Sequence, residues 1–184
     1  MNIFYLSSDP KACAEDHCDK HVVKMIIEYA QLLSTAHRIL DGEESKQVSK
    51  NGKVMVSYWT LPDYREDKIY RAAYYNHPSS IWVRKSKGHY LYLLNLWVHL
   101  CKEYTNRYDK VHTCYKKLIQ YLYQLPNNIE CLGFIPPPQC MPDEIKIAGT
   151  NDPEKNTIDA YRNFYKSHKK DFATWKTRIP DWYK

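Results

Sequence analysis

The stretch that decides the fold runs from Asp16 to Arg38 and reads Asp-His-Cys-Asp-Lys-His-Val-Val-Lys-Met-Ile-Ile-Glu-Tyr-Ala-Gln-Leu-Leu-Ser-Thr-Ala-His-Arg. Its apolar residues recur with the period of an α-helix, at Val22, Met25, Ile26, Tyr29, Leu32, Leu33, Ala36 and, just beyond it, Ile39. Because residues three, four and seven apart share a helix face, His21, Lys24, Glu28 and Thr35 are predicted to form a polar stripe beside the apolar one. A histidine, a lysine and a carboxylate one or two turns apart can perform proton chemistry. The simpler interpretation is a solvated face of an amphipathic helix.

Length and composition favour one mainly α-helical domain, residues 1–184, with a sizeable core. The chain has 17 Tyr, 5 Trp and 4 Phe, and tyrosine serves both half-buried packing and flat recognition surfaces. A net charge of +6 suits a phosphate-rich partner without requiring one. No apolar run reaches membrane-spanning length, and the amino terminus lacks a signal-peptide pattern. We therefore expect no membrane partner and a location in the cytoplasm of the host cell.

The cysteines and histidines near the amino terminus raise the question of a metal. Cys13, His17, Cys18 and His21 lie close enough in sequence to suggest zinc, but their spacing matches no standard finger. Buried thiols and helix-face histidines explain them better, so we predict no metal and six reduced cysteines. With only 5 Gly, a P-loop or a dinucleotide fingerprint is excluded, and no cofactor is expected.

Caps and apolar periodicity predict the remaining elements of a helical bundle. Asp9-Pro10 is typical of an N-cap and a first helical position, and a short helical turn is predicted at residues 11–15. Longer helices are predicted at residues 90–108, 111–123 and 154–171, the last after Asp152-Pro153. One small β-hairpin is predicted from residues 47–50 and 53–59, which flank Asn51-Gly52. A surface hairpin is the simpler interpretation, and a wing that touches a substrate through Trp59 or Lys53 is the alternative.

An Asn-His-Pro sequence at residues 76–78 forms the second candidate site. The residue before a proline is disfavoured in helices, so Asn76 and His77 are predicted to lie in a loop, with Ser79 or Ser80 capping the next helix. Such a pair just before a helix N-terminus is a good site for an anion or a substrate, although a plain capping turn competes with this reading. The helix that follows would carry Arg84, Lys85 and Lys87.

The last third of the chain contains an irregular stretch and a basic tail. Residues 126–142 include three consecutive prolines and are predicted to run extended over the surface as a long Pro-rich loop. The tail, residues 172–184, interleaves aromatics with cations, notably Trp175, Lys176, Arg178 and Trp182. This mixture suits contacts with phosphates and stacking on bases. It equally suits a tail whose two tryptophans dock on the core.

Several short motifs carry a resemblance to known sequences. Cys-Asp-Lys-His-Val-Val-Lys-Met-Ile at residues 18–26, Asn-His-Pro at 76–78, Met-Pro-Asp-Glu-Ile-Lys at 141–146 and Ala-Thr-Trp-Lys at 173–176 resemble a group of phage open reading frames of unassigned function. More remotely, the first two thirds resemble the pyrimidine-dimer DNA glycosylase family of the phage endonuclease V type. The matching positions are His21, Glu28, Asn76, His77 and Pro78.

The resemblance implies a mostly α fold and base excision from damaged double-stranded DNA. In that family the α-amine of the chain attacks the sugar C1′, a Schiff base forms, and a glutamate manages charge and protons. Here Asn2 is bulky, so Met1 is expected to be retained and to supply the amine, with Lys24 as a substitute. His21, Glu28 and His77 complete the expected catalytic set. Phosphate contacts are expected from Asn76, Arg84, Lys85, Lys87 and the basic tail.

Two other functions remain open at the level of the sequence. One is an enzyme that acts on a free nucleotide or another small phosphorylated substrate, which a deep, narrow pocket would favour. The other is a non-catalytic module that binds nucleic acid or protein, such as a phage accessory factor. An open groove with a basic rim would favour DNA.

Overall fold

The chain folds as a helical assembly with a single β-hairpin, as a computed structural model shows for residues 1–49, 51–149 and 151–184. The mainly α fold, the hairpin and the irregular Pro-rich stretch are confirmed. In chain order the elements are α1 (Pro10–Asp16), α2 (Asp19–Asp41), β1 (Glu43–Val48), β2 (Met55–Thr60), α3 (Pro78–Lys85), α4 (Lys87–Tyr108), α5 (Thr113–Leu122), a 3-10 turn (Asp143–Ile145) and α6 (Pro153–His168).

The central element is α2, which packs against α3, α4, α5 and the hairpin. Its apolar face is buried as the periodicity predicted. The predicted polar stripe is wrong in part, because His21 and Thr35 are also buried and only Lys24 and Glu28 reach the surface. Thr35 can be buried because its hydroxyl accepts a hydrogen bond from the backbone N–H of Ala73 at 3.1 Å. A polar residue on the helix is thus used to anchor a neighbouring loop.

The long helix α4 lies across α2 and completes the core. The indole of Trp97 is fully buried and donates a hydrogen bond to the Ile26 carbonyl at 2.9 Å, in the middle of α2. Ser86 caps α4 by accepting from the Gly88 N–H. Because Ser86 ends α3 and begins α4, Lys87 belongs to α4 and does not share a helix with Lys85 as predicted.

The hairpin pairs antiparallel from Glu43 with Thr60 to Val48 with Met55. The first strand therefore begins at Glu43, four residues before its predicted start at residue 47. Lys50, the predicted end of that strand, lies outside the described residues. Gly52 in the connection has φ +74°, a left-handed conformation that glycine adopts without steric cost. The hairpin interacts with the body of the protein through Trp59, whose ring lies 4.6 Å from that of Tyr75.

Buried arginines connect elements that are distant in the chain. Arg38 donates to Glu66 and to several backbone carbonyls, and Arg65 pairs with Asp41 and Asp63. Such networks lock loops to helices, because each buried guanidinium needs all its donors satisfied. Within the described part of the chain, no helix has the length and hydrophobicity needed to cross a bilayer.

Candidate functional site

The amino terminus is held at the rim of the core by the segment before α1. Ile3, Tyr5 and Leu6 are fully buried, whereas Met1 is only partly covered. The amide of Asn2 donates to the Cys140 carbonyl at 2.7 Å and thereby ties the terminus to the Pro-rich stretch. The hydrophobic segment therefore fixes the α-amine next to a loop from the last third of the chain.

His77 lies at the start of α3 and is its N-cap. Its Nδ1 accepts a hydrogen bond from the Ser79 N–H at 3.2 Å, so the predicted capping by Ser79 or Ser80 is wrong. Both serines are instead fully buried. Asn76, the residue before His77, is exposed. Burial lowers the pKa of His77, the positive charge of the amino terminus lowers it further, and Glu28 acts in the opposite direction.

Charges from two other segments act on this one imidazole. The α-amine comes from residue 1, Glu28 from the middle of α2, and His77 from the start of α3. Glu28 is not directed into bulk solvent, because its side chain is 18% exposed. Its carboxylate pairs with the exposed Lys24 at 3.2 Å. Among the described residues, no carboxylate lies within ion-pair distance of the α-amine.

An open groove runs from His77 along the Pro-rich stretch, with Pro138, Cys140, Met141 and Lys146 on its other side. The Cys140 thiol lies 3.5 Å from the Ser79 hydroxyl, which brings the loop against the N-terminus of α3. Sequence reasoning did not select Cys140 or Lys146, because proximity to His77 arises only from the tertiary fold. His77 thus lines the groove and is also acted on by the charge of the α-amine.

His21 was expected to act in catalysis, but the structure places it inside an aromatic cluster. Its ring stacks on Phe4 at 4.3 Å and its Nδ1 is hydrogen-bonded to the Tyr165 hydroxyl. The side chain is 5% exposed. Burial, followed by His17 and three surrounding lysines, lowers the pKa of His21 to about 2. His21 is therefore a neutral packing residue and does not line the groove.

The cysteines and histidines that suggested zinc form separate contacts within the protein. The Cys13 thiol donates to the Phe4 carbonyl at 3.1 Å, and His17 bonds the Cys13 carbonyl and the Tyr29 hydroxyl through its two ring nitrogens. Burial lowers the pKa of His17 to about 4. Across residues 1–49, 51–149 and 151–184, no three His, Cys, Asp or Glu side chains are grouped as metal ligands would be.

The predicted phosphate contacts are dispersed. Arg84 is half-buried and donates to the Tyr75 carbonyl at 2.7 Å, whereas Lys85 and Lys87 are exposed on consecutive helices. None of these three side chains lines the groove. The sequence predicted a helix after the Asn-His-Pro loop, but it did not predict the directions in which the cationic side chains point.

The tail adopts the docked alternative. Trp175 donates to the Asp16 carbonyl at 3.1 Å and Trp182 donates to the Asp16 carboxylate at 2.7 Å. Both indoles pack against the core and are partly buried. Lys176 lies over the Tyr108 ring at 4.7 Å, and Arg178 is exposed.

No protein family, curated protein or solved structure was found to match the chain. The resemblance to pyrimidine-dimer DNA glycosylases therefore rests on the motifs alone.

Proposed function

We propose that the groove beside the amino terminus carries out DNA glycosylase and AP lyase chemistry on damaged or modified pyrimidines. The observation that supports this proposal is that the charges of the α-amine and of Glu28, from two separate segments, both act on the imidazole of His77, which comes from a third. An amine nucleophile needs a nearby base and a group that stabilises positive charge on the sugar. Met1, Glu28 and His77 offer these three elements.

The proposed reaction begins with the neutral α-amine of Met1. It attacks the sugar C1′, the glycosidic C–N bond breaks, and the base leaves with the bonding electrons and takes up a proton. Glu28 accepts the proton that the amine loses and passes it to the ring oxygen O4′ as the C1′–O4′ bond breaks. The iminium therefore forms beside a carboxylate that is negatively charged again and stabilises it. In the lyase step a C2′ proton is removed, and the 3′ phosphate leaves with the electrons of its C–O bond.

His77 is proposed to act as a hydrogen-bond donor. Because its Nδ1 accepts the Ser79 N–H, the proton of the neutral ring lies on Nε2. Its lowered pKa keeps the ring neutral at physiological pH. An Nε2–H donor next to the groove can stabilise charge on the departing base or on a phosphate oxygen.

Lys24 is the weaker candidate for the nucleophile. Its Nζ lies 3.2 Å from the Glu28 carboxylate in an ion pair, and an ammonium has no lone pair to attack with. Its charge is better suited to contact a phosphate beside the reaction centre.

The shape of the groove favours a polymer over a free nucleotide. It is open along its length, and Lys146 lies on its rim. A small phosphorylated substrate is usually enclosed by a deep pocket that buries most of its surface. An open groove instead accommodates a strand that continues on both sides.

The direct test is borohydride trapping on duplexes that contain an abasic site or a cyclobutane pyrimidine dimer. Wild-type protein should form a covalent adduct, and mass spectrometry of the trapped peptide should place the link on the Met1 nitrogen. Glu28→Gln should reduce trapping at least about 100-fold, since it removes the proposed base. Glu44→Gln, which neutralises an exposed glutamate on the hairpin, is the matched control and should trap normally.

The outcomes separate the three candidate functions. An adduct on Lys24 would move the nucleophile to α2 and reject the role of the α-amine. If folded wild-type protein forms no adduct with either duplex, the glycosylase and lyase proposal is rejected. Unchanged DNA binding in Glu28→Gln together with that result would identify a non-catalytic binding module.

A further inference from the structure

Three lysines surround the buried ring of His21. Lys20 and Lys24 project from α2, and Lys169 follows the end of α6. Lys20 lies over the Phe172 ring, which is 5.5 Å from the ring of His21. Lys169 lies over the Phe164 ring, which stacks with Phe4, and Phe4 stacks in turn on His21. The charges of all three lysines act on His21. Two helices that are far apart in sequence therefore bring three ammonium groups to one part of the surface.

Aromatic rings, and not carboxylates, support two of these lysines. Lys20 Nζ lies 4.5 Å from the centre of the Phe172 ring, and Lys169 Nζ lies 4.4 Å from that of Phe164. Within the described ranges, neither ammonium has a carboxylate within 4 Å. A cation held over a ring keeps its full charge, because the ring supplies no compensating anion. The cluster is thus positioned but not neutralised.

Aliphatic side chains lie beside the cluster on the same exposed side of α2. Val23 and Ile27 are each 41% exposed, although α2 otherwise buries its large apolar residues. Glu28, on the next turn, pairs with Lys24 and adds one negative charge at the edge. The negative charge of Glu28 repels a doubly charged free phosphate more strongly than a phosphodiester, which carries a single negative charge.

We propose that Lys20, Lys24 and Lys169 bind a phosphodiester of a DNA backbone, with Val23 and Ile27 against the adjoining sugars. The choice of DNA rests on the proposed function, since Lys24 is also the ion-pair partner of Glu28. The cluster extends the DNA-contacting surface from the groove along α2 to the end of α6. It replaces the tail, whose tryptophans are docked, as the main site of backbone contact.

The experiment measures binding of an undamaged duplex by fluorescence anisotropy over a range of salt concentrations. The variant is Lys20→Gln/Lys169→Gln, which leaves Glu28 and its partner in place. The matched control is Lys116→Gln/Lys117→Gln, which removes the same charge from exposed positions of α5. Circular dichroism establishes that both proteins are folded.

Each lost phosphate contact reduces the slope of log affinity against log salt by about 0.9, so the Lys20/Lys169 variant should lose about 2 units. Its affinity at about 0.1 M salt should fall at least about tenfold, and that of the control by much less. Equal losses in the two variants would overturn the proposal. Binding to phosphatidylserine vesicles in the absence of binding to DNA would also overturn it, because the partner would then be a membrane surface.

The test distinguishes this inference from the catalytic proposal. Glu28→Gln removes a negative charge beside Lys24, so it should bind the undamaged duplex at least as tightly as the wild type even where it no longer forms the borohydride adduct. If wild-type protein traps no substrate but its DNA affinity depends on Lys20 and Lys169, the chemistry is rejected and the binding surface stands.

Discussion

The substitution Arg107→Met removes the guanidinium that joins α4 to the amino-terminal half of the protein. The Arg107 side chain has no exposed charged surface and pairs with Glu103 at 2.7 Å and with Asp19 at 2.9 Å. It also donates to the carbonyls of Glu15 and His17, at the end of α1. Methionine fills a similar volume but supplies no donor.

The expected loss follows from the groups left behind. Two carboxylates that are 14% and 11% exposed lose their shared cation, and two carbonyls lose their donor. Removing one partner of a buried ion pair destabilises proteins by about 3–5 kcal/mol. For a domain of this size each kcal/mol lowers the melting temperature by about 2–4 °C, so the expected fall is about 6–20 °C.

The tail should respond as well. The Asp19 carboxylate that pairs with Arg107 also accepts the Lys176 N–H at 3.1 Å, and Glu103 accepts from Thr177. Once Arg107 is gone, these carboxylates are free to turn toward water. Trypsin should then cleave after Lys176 faster than in the wild type.

Urea denaturation followed by circular dichroism measures the effect. The matched control is Arg178→Met, because Arg178 is 73% exposed and pairs with Asp181 only at the surface. Its unfolding midpoint should match that of the wild type. If Arg107→Met unfolds within about 1 kcal/mol of the wild type, the argument that this arginine locks α4 to α1 is refuted.

Three further predictions concern stability. Burial lowers the pKa of His17 to about 4 in the folded protein, whereas the unfolded chain has the ordinary value of about 6.5. As the pH falls through this window, the unfolded chain takes up a proton before the folded protein does, so the free energy of unfolding decreases. The slope of the free energy of unfolding against pH in this window should therefore be smaller in His17→Gln by about 1.4 kcal/mol per pH unit. Ser86→Ala removes the N-cap of α4 and should cost about 1 kcal/mol in urea denaturation, and an unchanged midpoint would contradict this role. Tyr161→Phe removes a hydroxyl that donates to Pro138 at 2.7 Å and accepts from Cys140, and should cost about 1–2 kcal/mol by the same assay; no loss would show that this hydroxyl does not hold the loop.

The elements of the fold were accessible from the sequence where local signals determine them. The period of α2 identified its buried face, and Asp9-Pro10 identified the start of α1. The predicted end of α6 was three residues too late, because the basic residues after His168 look like a continuing helix. His21 was misplaced for a different reason. Its partner Tyr165 lies 144 residues away, and no local pattern indicates which histidine finds a buried hydroxyl.

The candidate site was only partly accessible. Glu28 and His77 were selected from motifs, and the charges of Glu28 and of the α-amine both act on the His77 ring. Cys140 and Lys146 were missed, because the Pro-rich stretch has no periodicity that shows which side chains face inward. Lys20 and Lys169 were not selected either, since an exposed lysine on a helix is ordinary until a second helix brings another beside it.

The distribution of ion pairs shows which part of the molecule carries its net charge. The chain has 27 Lys and Arg against 21 Asp and Glu. The interior arginines at 38, 65 and 107 are paired with five of these carboxylates, namely Glu66, Asp41, Asp63, Asp19 and Glu103. Glu66 and Asp63 remain about a third exposed, so the interior removes three arginines and three carboxylates, and the net charge of +6 is carried by the exposed side chains. Lysines that rest on aromatic rings keep that charge available to an anionic partner.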